Sequence, residues 1–167
     1  DKELQAELLS SEKDKAELNM ITDLLRNDLG KVCQPGTVEV RQTRAIMQNA
    51  TVMHTFSHVT AKSLPAVRPI EALLSMFPGG SITGCPKKRA MEIIDELEPH
   101  TRSVYCGALV VVEPNGDLDS SIAIRTLIQK DKRLVLQVGG GIVSDSTEED
   151  EYQETWHKAQ GIIKALS

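Results

Sequence analysis

Three consecutive glycines, Gly139-Gly140-Gly141, precede an acidic run that contains Glu151 and Glu154 and ends in Lys158. Glycine leaves backbone N–H groups uncovered by any Cβ, so a carboxylate or another oxyanion can approach the main chain closely. Glu151 and Glu154 are one helical turn apart, and with Lys158 they fall within roughly a 60° arc at helical spacing. Two such carboxylates could hold a hard divalent cation, and a lysine beyond them could position an anionic ligand. The same residues also suit a solvated helix, whose dipole favours acids in the first turn and a lysine four residues on. Spacing leaves both readings open.

These residues need a strand, a loop and a helix in succession. Ser146 or Thr147 can N-cap the helix, each with an acid three residues on (Glu149, Asp150). Tyr152, Trp156, Ala159, Ile163 and Leu166 then recur as its apolar stripe. The strand Leu134 to Val138 delivers the glycines. Before it, Tyr105 to Val112 and Leu118 to Gln129 read as a hairpin about the turn Pro114-Asn115-Gly116-Asp117. Arg125 falls in its second strand between apolar neighbours on one face. That predicts a guanidinium at a buried edge, suited to bidentate contact with a ligand carboxylate or with an internal acid.

Earlier in the chain, Ser11 with Asp14 caps a helix predicted to run to Leu29, stopped by Gly30. Glu17 shares a face with Ile21 and Leu24. A carboxylate along a buried stripe must be paired, protonated or metal-bound, unless it sits at the edge and reaches water. Val32 to Val40 reads as strand interrupted by Pro35-Gly36, and Thr51 to Thr60 as a strand with Val52, His54, Phe56 and His58 on one face. On a strand His54 and His58 stand about 13 Å apart and cannot chelate one ion, so His54 acts singly or is structural. Ile70 to Met76 is a short helix. Phe77 to Arg89 is a glycine-rich loop running into a helix N-terminus at Pro86, where anions are favoured; the following apolar face is Ala90, Ile93, Ile94 and Leu97. The spacing of a phosphate-binding P-loop is absent.

Composition narrows the partners. With 167 residues, a net charge of −5 and a pI near 5.4, no basic surplus exists to neutralise phosphates, so nucleic acid and anionic membranes are not expected. Cys33, Cys85 and Cys106 form no Cys-x-x-Cys spacing. A cytoplasmic setting is the expectation. No apolar run approaches a membrane span, and no internal repeat is visible.

Five ordered segments carry a wider resemblance: Asp14-Lys15-Ala16-Glu17; Asp23 to Gly30; Phe77-Pro78-Gly79-Gly80-Ser81-Ile82-Thr83-Gly84-Cys85-Pro86-Lys87; Ile122-Ala123-Ile124-Arg125-Thr126; and Gly139 to Ser146. Together they resemble the chorismate-utilising enzymes across essentially the whole chain. The Phe-Pro-Gly-Gly-Ser loop is similar to the aminodeoxychorismate synthase branch, with Cys85 where alanine is usual. The anthranilate synthase large subunit and a non-catalytic interaction module are the alternatives.

The order of strands and helices fits an α+β fold, and the resemblance implies part of a layered sandwich with two central β-sheets flanked by helices, of which residues 1–167 would be the C-terminal portion. It implies Mg2+ held by Glu17 and Glu154 with Glu151 beside the ion. Chorismate carboxylates would be held by Tyr105, Arg125, the backbone of Gly139, Gly140 and Gly141, and Lys158. His54 and Thr83 would lie near the reacting ring. The implied reaction replaces the C4 hydroxyl of chorismate with ammonia from a glutamine amidotransferase subunit or fused domain. In the family, the segment separating the two amination reactions lies upstream of Asp1, so this chain is expected to be inactive by itself. Exposed sheet edges would also invite self-association.

Overall fold

The computed structural model describes residues 2–48, 53–144 and 146–166. It is an α+β chain of two compact units, residues 1–80 and 81–167.

In the first unit, α1 (Lys2–Ser10) and α2 (Glu12–Gly30) are separated by Ser11. Ser11 caps α2 as its sequence predicts, accepting from the Asp14 N–H at 3.2 Å. Cys33 makes a single bridge with Ser63, and β1 (Glu39–Gln48) pairs antiparallel with β2 (Met53–Thr60). The strand expected over Val32 to Val40 is thus displaced: Pro35-Gly36 turns the chain, and extended structure resumes at Glu39. Register shifts lie between Val40 and Gln42 and between Gln42 and Ala45, where Arg44 takes φ +53°. Its guanidinium donates to the carbonyls of Leu8 (2.9 Å) and Ser11 (2.7 Å), tying β1 to the α1–α2 junction. Thr51 and Val52 lie outside the described residues. α3 (Pro69–Met76) begins on Pro69, and the Glu71 carboxylate accepts from the Arg68 N–H at 3.0 Å.

The loop expected after Phe77 contains a further turn of helix, α4 (Gly80–Thr83). Gly80 is buried, and a Cβ there would overlap the Leu24 side chain on α2. Its missing side chain serves packing.

The second unit continues with α5 (Lys87–Leu97), then β3 (Ala108–Val112) paired with β4 (Leu118–Ile122), β5 (Leu127–Lys130) paired with β6 (Arg133–Leu136), and α6 (Glu148–Ala165). The predicted strand from Leu118 to Gln129 is two strands. Arg125 sits between them at φ +50°, a left-handed conformation outside the extended region, and the chain bends there. Tyr105 likewise precedes its strand. Ser103 (φ +52°) and Cys106 (φ +64°) fold residues 103–106 into a turn, closed by the Gly107 N–H on the Val104 carbonyl at 2.9 Å. The last strand spans Arg133–Leu136 and stops short of Val138.

Each unit buries little: among the described residues Val32 and Cys33, with polar Thr22 and Asp28, are buried in the first, and Cys106, Ala123 and Ala159 in the second. The stripes expected to be covered are largely open: Leu97 is 76% exposed, Tyr152 56% and Trp156 49%. Leu109, Val110, Val111 and Val112 of β3 are exposed as well. Among the described residues no helix is long and apolar enough to cross a membrane.

Candidate functional site

The second unit gathers the glycine loop, the acids of α6 and Tyr105. Thr147 caps α6, accepting from the Asp150 N–H at 3.3 Å, so the helix starts where its sequence predicts. Ser146, the other candidate cap, does something different. Its hydroxyl accepts from the Val143 N–H at 3.1 Å and donates to Glu151 Oε1 at 2.5 Å, binding the end of the loop to the first turn of the helix. Asp145 lies outside the described residues.

At two glycines the ends of other side chains approach the backbone closely. A Cβ on Gly139 would stand 2.8 Å from the Tyr105 hydroxyl. One on Gly140 would stand 2.8 Å from Glu151 Oε2 and 3.9 Å from both Glu154 Oε2 and Lys158 Nζ. Gly141 is exposed. Lys158 Nζ donates to the Gly139 carbonyl at 3.1 Å and pairs with Glu154 Oε1 at 2.5 Å. One backbone stretch therefore meets a phenol, two carboxylates and an ammonium. A ligand carboxylate fits such a place, because the phenol and the ammonium both donate hydrogen bonds to anions.

Glu151 and Glu154 offer hard oxygen donors one turn apart, and both bring Oε2 to Gly140. Mg2+ is usually bound through one or two carboxylates, with water and substrate oxygens completing the shell, so this donor set fits it. Among the described residues no group of three or more His, Cys, Asp or Glu side chains is assembled. Glu17, half-buried on α2 beside half-buried Ile21 and Leu24, belongs to the first unit. So does His54, exposed on β2 opposite Met47.

Thr83 ends α4 half-buried, with its hydroxyl 3.4 Å from the Gly84 carbonyl. Arg125 departs from expectation. Its side chain is exposed at the β4–β5 bend, because the left-handed backbone there takes it out of the strand that would have buried it.

Tyr105 is held from behind by a residue that sequence reasoning missed. Arg102 makes a two-pronged contact with Glu98 (2.6 and 2.9 Å), donates to the Ile82 carbonyl (2.7 Å) and lies 5.9 Å from the centre of the Tyr105 ring. Hydrogen bonding to Arg102 holds the Glu98 carboxyl below the usual carboxylate range and raises Arg102. Burial, first, pushes up both the Tyr105 phenol and the Cys106 thiol. The spacing of Glu98 and Arg102, four residues apart, was the available signal, but it reads as an ordinary surface pair.

Residues 1–164 match the family described as chorismate binding enzyme. The chain is 48% identical over 162 residues to aminodeoxychorismate synthase component 1 of Klebsiella aerogenes, covering 97% of this chain and 36% of that protein. It is 45% identical over 166 residues to anthranilate synthase component 1 of Spirochaeta aurantia, covering 99% and 34%. The crystal structure of anthranilate synthase component I from Streptococcus pneumoniae superposes with a TM-score of 0.88 at 43% identity, over 95% of this chain and 37% of that one. The chain thus spans about a third of the length of these relatives.

Proposed function

Because this chain belongs to the chorismate-binding enzyme family, we propose that it carries part of the pocket of an aminodeoxychorismate synthase, which aminates chorismate at C4 to 4-amino-4-deoxychorismate. The observation that carries this reading is the bare backbone at Gly139 and Gly140, approached by Tyr105 at the first and by Glu151, Glu154 and Lys158 at the second. A dicarboxylate needs several anion-directed donors held in fixed places, and that corner supplies them.

In this reading, the Tyr105 hydroxyl and the glycine backbone orient one substrate carboxylate, and Lys158 contributes charge from the helix. Arg125 presents its exposed fork to the other carboxylate. Glu151 and Glu154 would hold Mg2+; Glu17 comes to that role from the family resemblance alone. When bound, the ion neutralises a substrate carboxylate and polarises the ring system. His54 and Thr83 would act near the reacting ring, a role for which the family resemblance is the support. Ammonia would come from a glutamine amidotransferase subunit or fused domain, in a cytoplasmic biosynthetic enzyme.

A second reading is anthranilate synthase component 1, because relatives of that name match over the same residues at similar identity. The two reactions part at the product, which keeps its pyruvyl group in the first and loses it in the second.

Calorimetric titration with chorismate, with and without Mg2+, tests the pocket. Binding should require the ion and be lost in Glu154→Ala and Arg125→Ala. Binding indifferent to Mg2+ and to both substitutions would remove the reading.

A further inference from the structure

We propose that Arg102 is a positioning residue for the substrate corner: it holds Tyr105 against Gly139 and couples that corner to the helical turn ending in Thr83. The proposal rests on the chorismate-binding reading above.

Three segments of the second unit converge on this one guanidinium. Glu98 is the C-terminal cap of α5 and takes Nε and Nη2; Ile82 is in α4 and takes Nη1; Tyr105, in the turn before β3, lies under the cation. The Arg102 side chain is 23% exposed and that of Glu98 38%, so water still screens their pairing, while the bond to the Ile82 carbonyl is partly buried. Beside it, Gln137 Nε2 donates to the Thr101 carbonyl at 3.2 Å, which fastens the approach to the glycine loop to the residue preceding Arg102. The phenol at the end of this chain of contacts is the group that a Gly139 Cβ would strike. Arg102 acts on the corner through Tyr105 and is not itself a group that touches the substrate.

The chemistry asks for arginine. A planar fork serves a carboxylate in bidentate fashion while a further N–H reaches a carbonyl and the face of the cation rests on a ring. A lysine ammonium is a point charge and cannot meet those directions together.

The sequence holds two tyrosines, so Tyr152→Phe leaves Tyr105 as the one phenol that titrates. In that background, Arg102→Met, Arg102→Lys and Glu98→Gln are compared for the absorbance titration of Tyr105, for Mg2+-dependent chorismate affinity and for thermal unfolding. Arg102→Met removes a cation that lowers the Tyr105 phenol, so it should move that titration further above the ordinary value of about 10; Arg102→Lys should move it the same way by less, and both should weaken chorismate binding about tenfold or more. Glu98→Gln removes an acid that raises the phenol, so it should lower the Tyr105 titration while weakening chorismate binding by less than the Arg102 substitutions. A folded Arg102→Met whose Tyr105 titration and chorismate affinity match the parent overturns the proposal; should that variant fail to fold, the same result in Arg102→Lys overturns it. A parent chain that does not bind chorismate, while the Arg102 substitutions still shift Tyr105, sinks the substrate reading and leaves the coupling of Arg102 to Tyr105 standing.

Discussion

The Gly139 carbonyl accepts a hydrogen bond from Lys158 Nζ at 3.1 Å, although 19 residues separate the two in the chain. The same ammonium pairs with Glu154 Oε1, so it fastens the loop to the helix and partly neutralises an acid next to it. Lys158→Met should loosen the loop and leave Glu154 more negative. Chorismate affinity should fall about tenfold. Stability should change by less than about 1 kcal/mol, since the Glu154 side chain is nearly half exposed and its pairing is screened by solvent. Calorimetry against thermal melts separates the two effects.

Gly140→Ala places a methyl 2.8 Å from Glu151 Oε2. A carboxylate is the movable end of a flexible side chain, so the fold should yield locally and lose only about 1 kcal/mol or less. Glu151 would leave its Ser146 hydrogen bond, and both Mg2+ and chorismate binding should weaken. A variant that binds both as the parent does would show that the approach at Gly140 has no bearing on the ligand.

Removal of the metal makes a third case. A chelator should abolish chorismate binding by the parent and change nothing in Glu154→Gln, which keeps the shape of the carboxylate but lacks its charge. Glu151→Gln should retain part of the Mg2+ response. Fluorescence of Trp156, on the same helix, can follow each titration.

Two pH limits follow from the Arg102 cluster. Hydrogen bonds from Arg102 lower the Glu98 carboxyl in the folded chain, so the unfolded chain binds the proton more readily. Their contribution to stability is present above the ordinary carboxylate range and is lost as pH falls through the lowered folded value. Cys106 and Tyr105 are raised chiefly by burial, so in alkali the unfolded chain ionises first. Stability should therefore decline as pH rises past about 8.5 for the thiol and about 10 for the phenol. Urea unfolding across pH should show Glu98→Gln flattening the acid limb and Cys106→Ala flattening the start of the alkaline one.

Local signals were legible. Ser11 and Thr147 cap their helices, Pro69 opens α3, and Gly139 and Gly140 stand bare before an acidic helix, because each depends on residues within a few positions of itself. The α+β class and the grouping of Glu151, Glu154 and Lys158 along α6 followed from period and spacing. Strand ends were less legible. Strand-forming residues run from Leu118 to Gln129 with no glycine or proline among them, yet left-handed Arg125 divides the run, and Ser103 and Cys106 fold Tyr105 into a turn. None of these residues is glycine, so composition carried no mark of the backbone they adopt. The contacts of Arg102 with Ile82, of Ser146 with Glu151 and of Lys158 with Gly139 were decided by tertiary structure. They join segments whose separation no local pattern encodes, and their geometry exists only once the intervening turns and hairpins have closed.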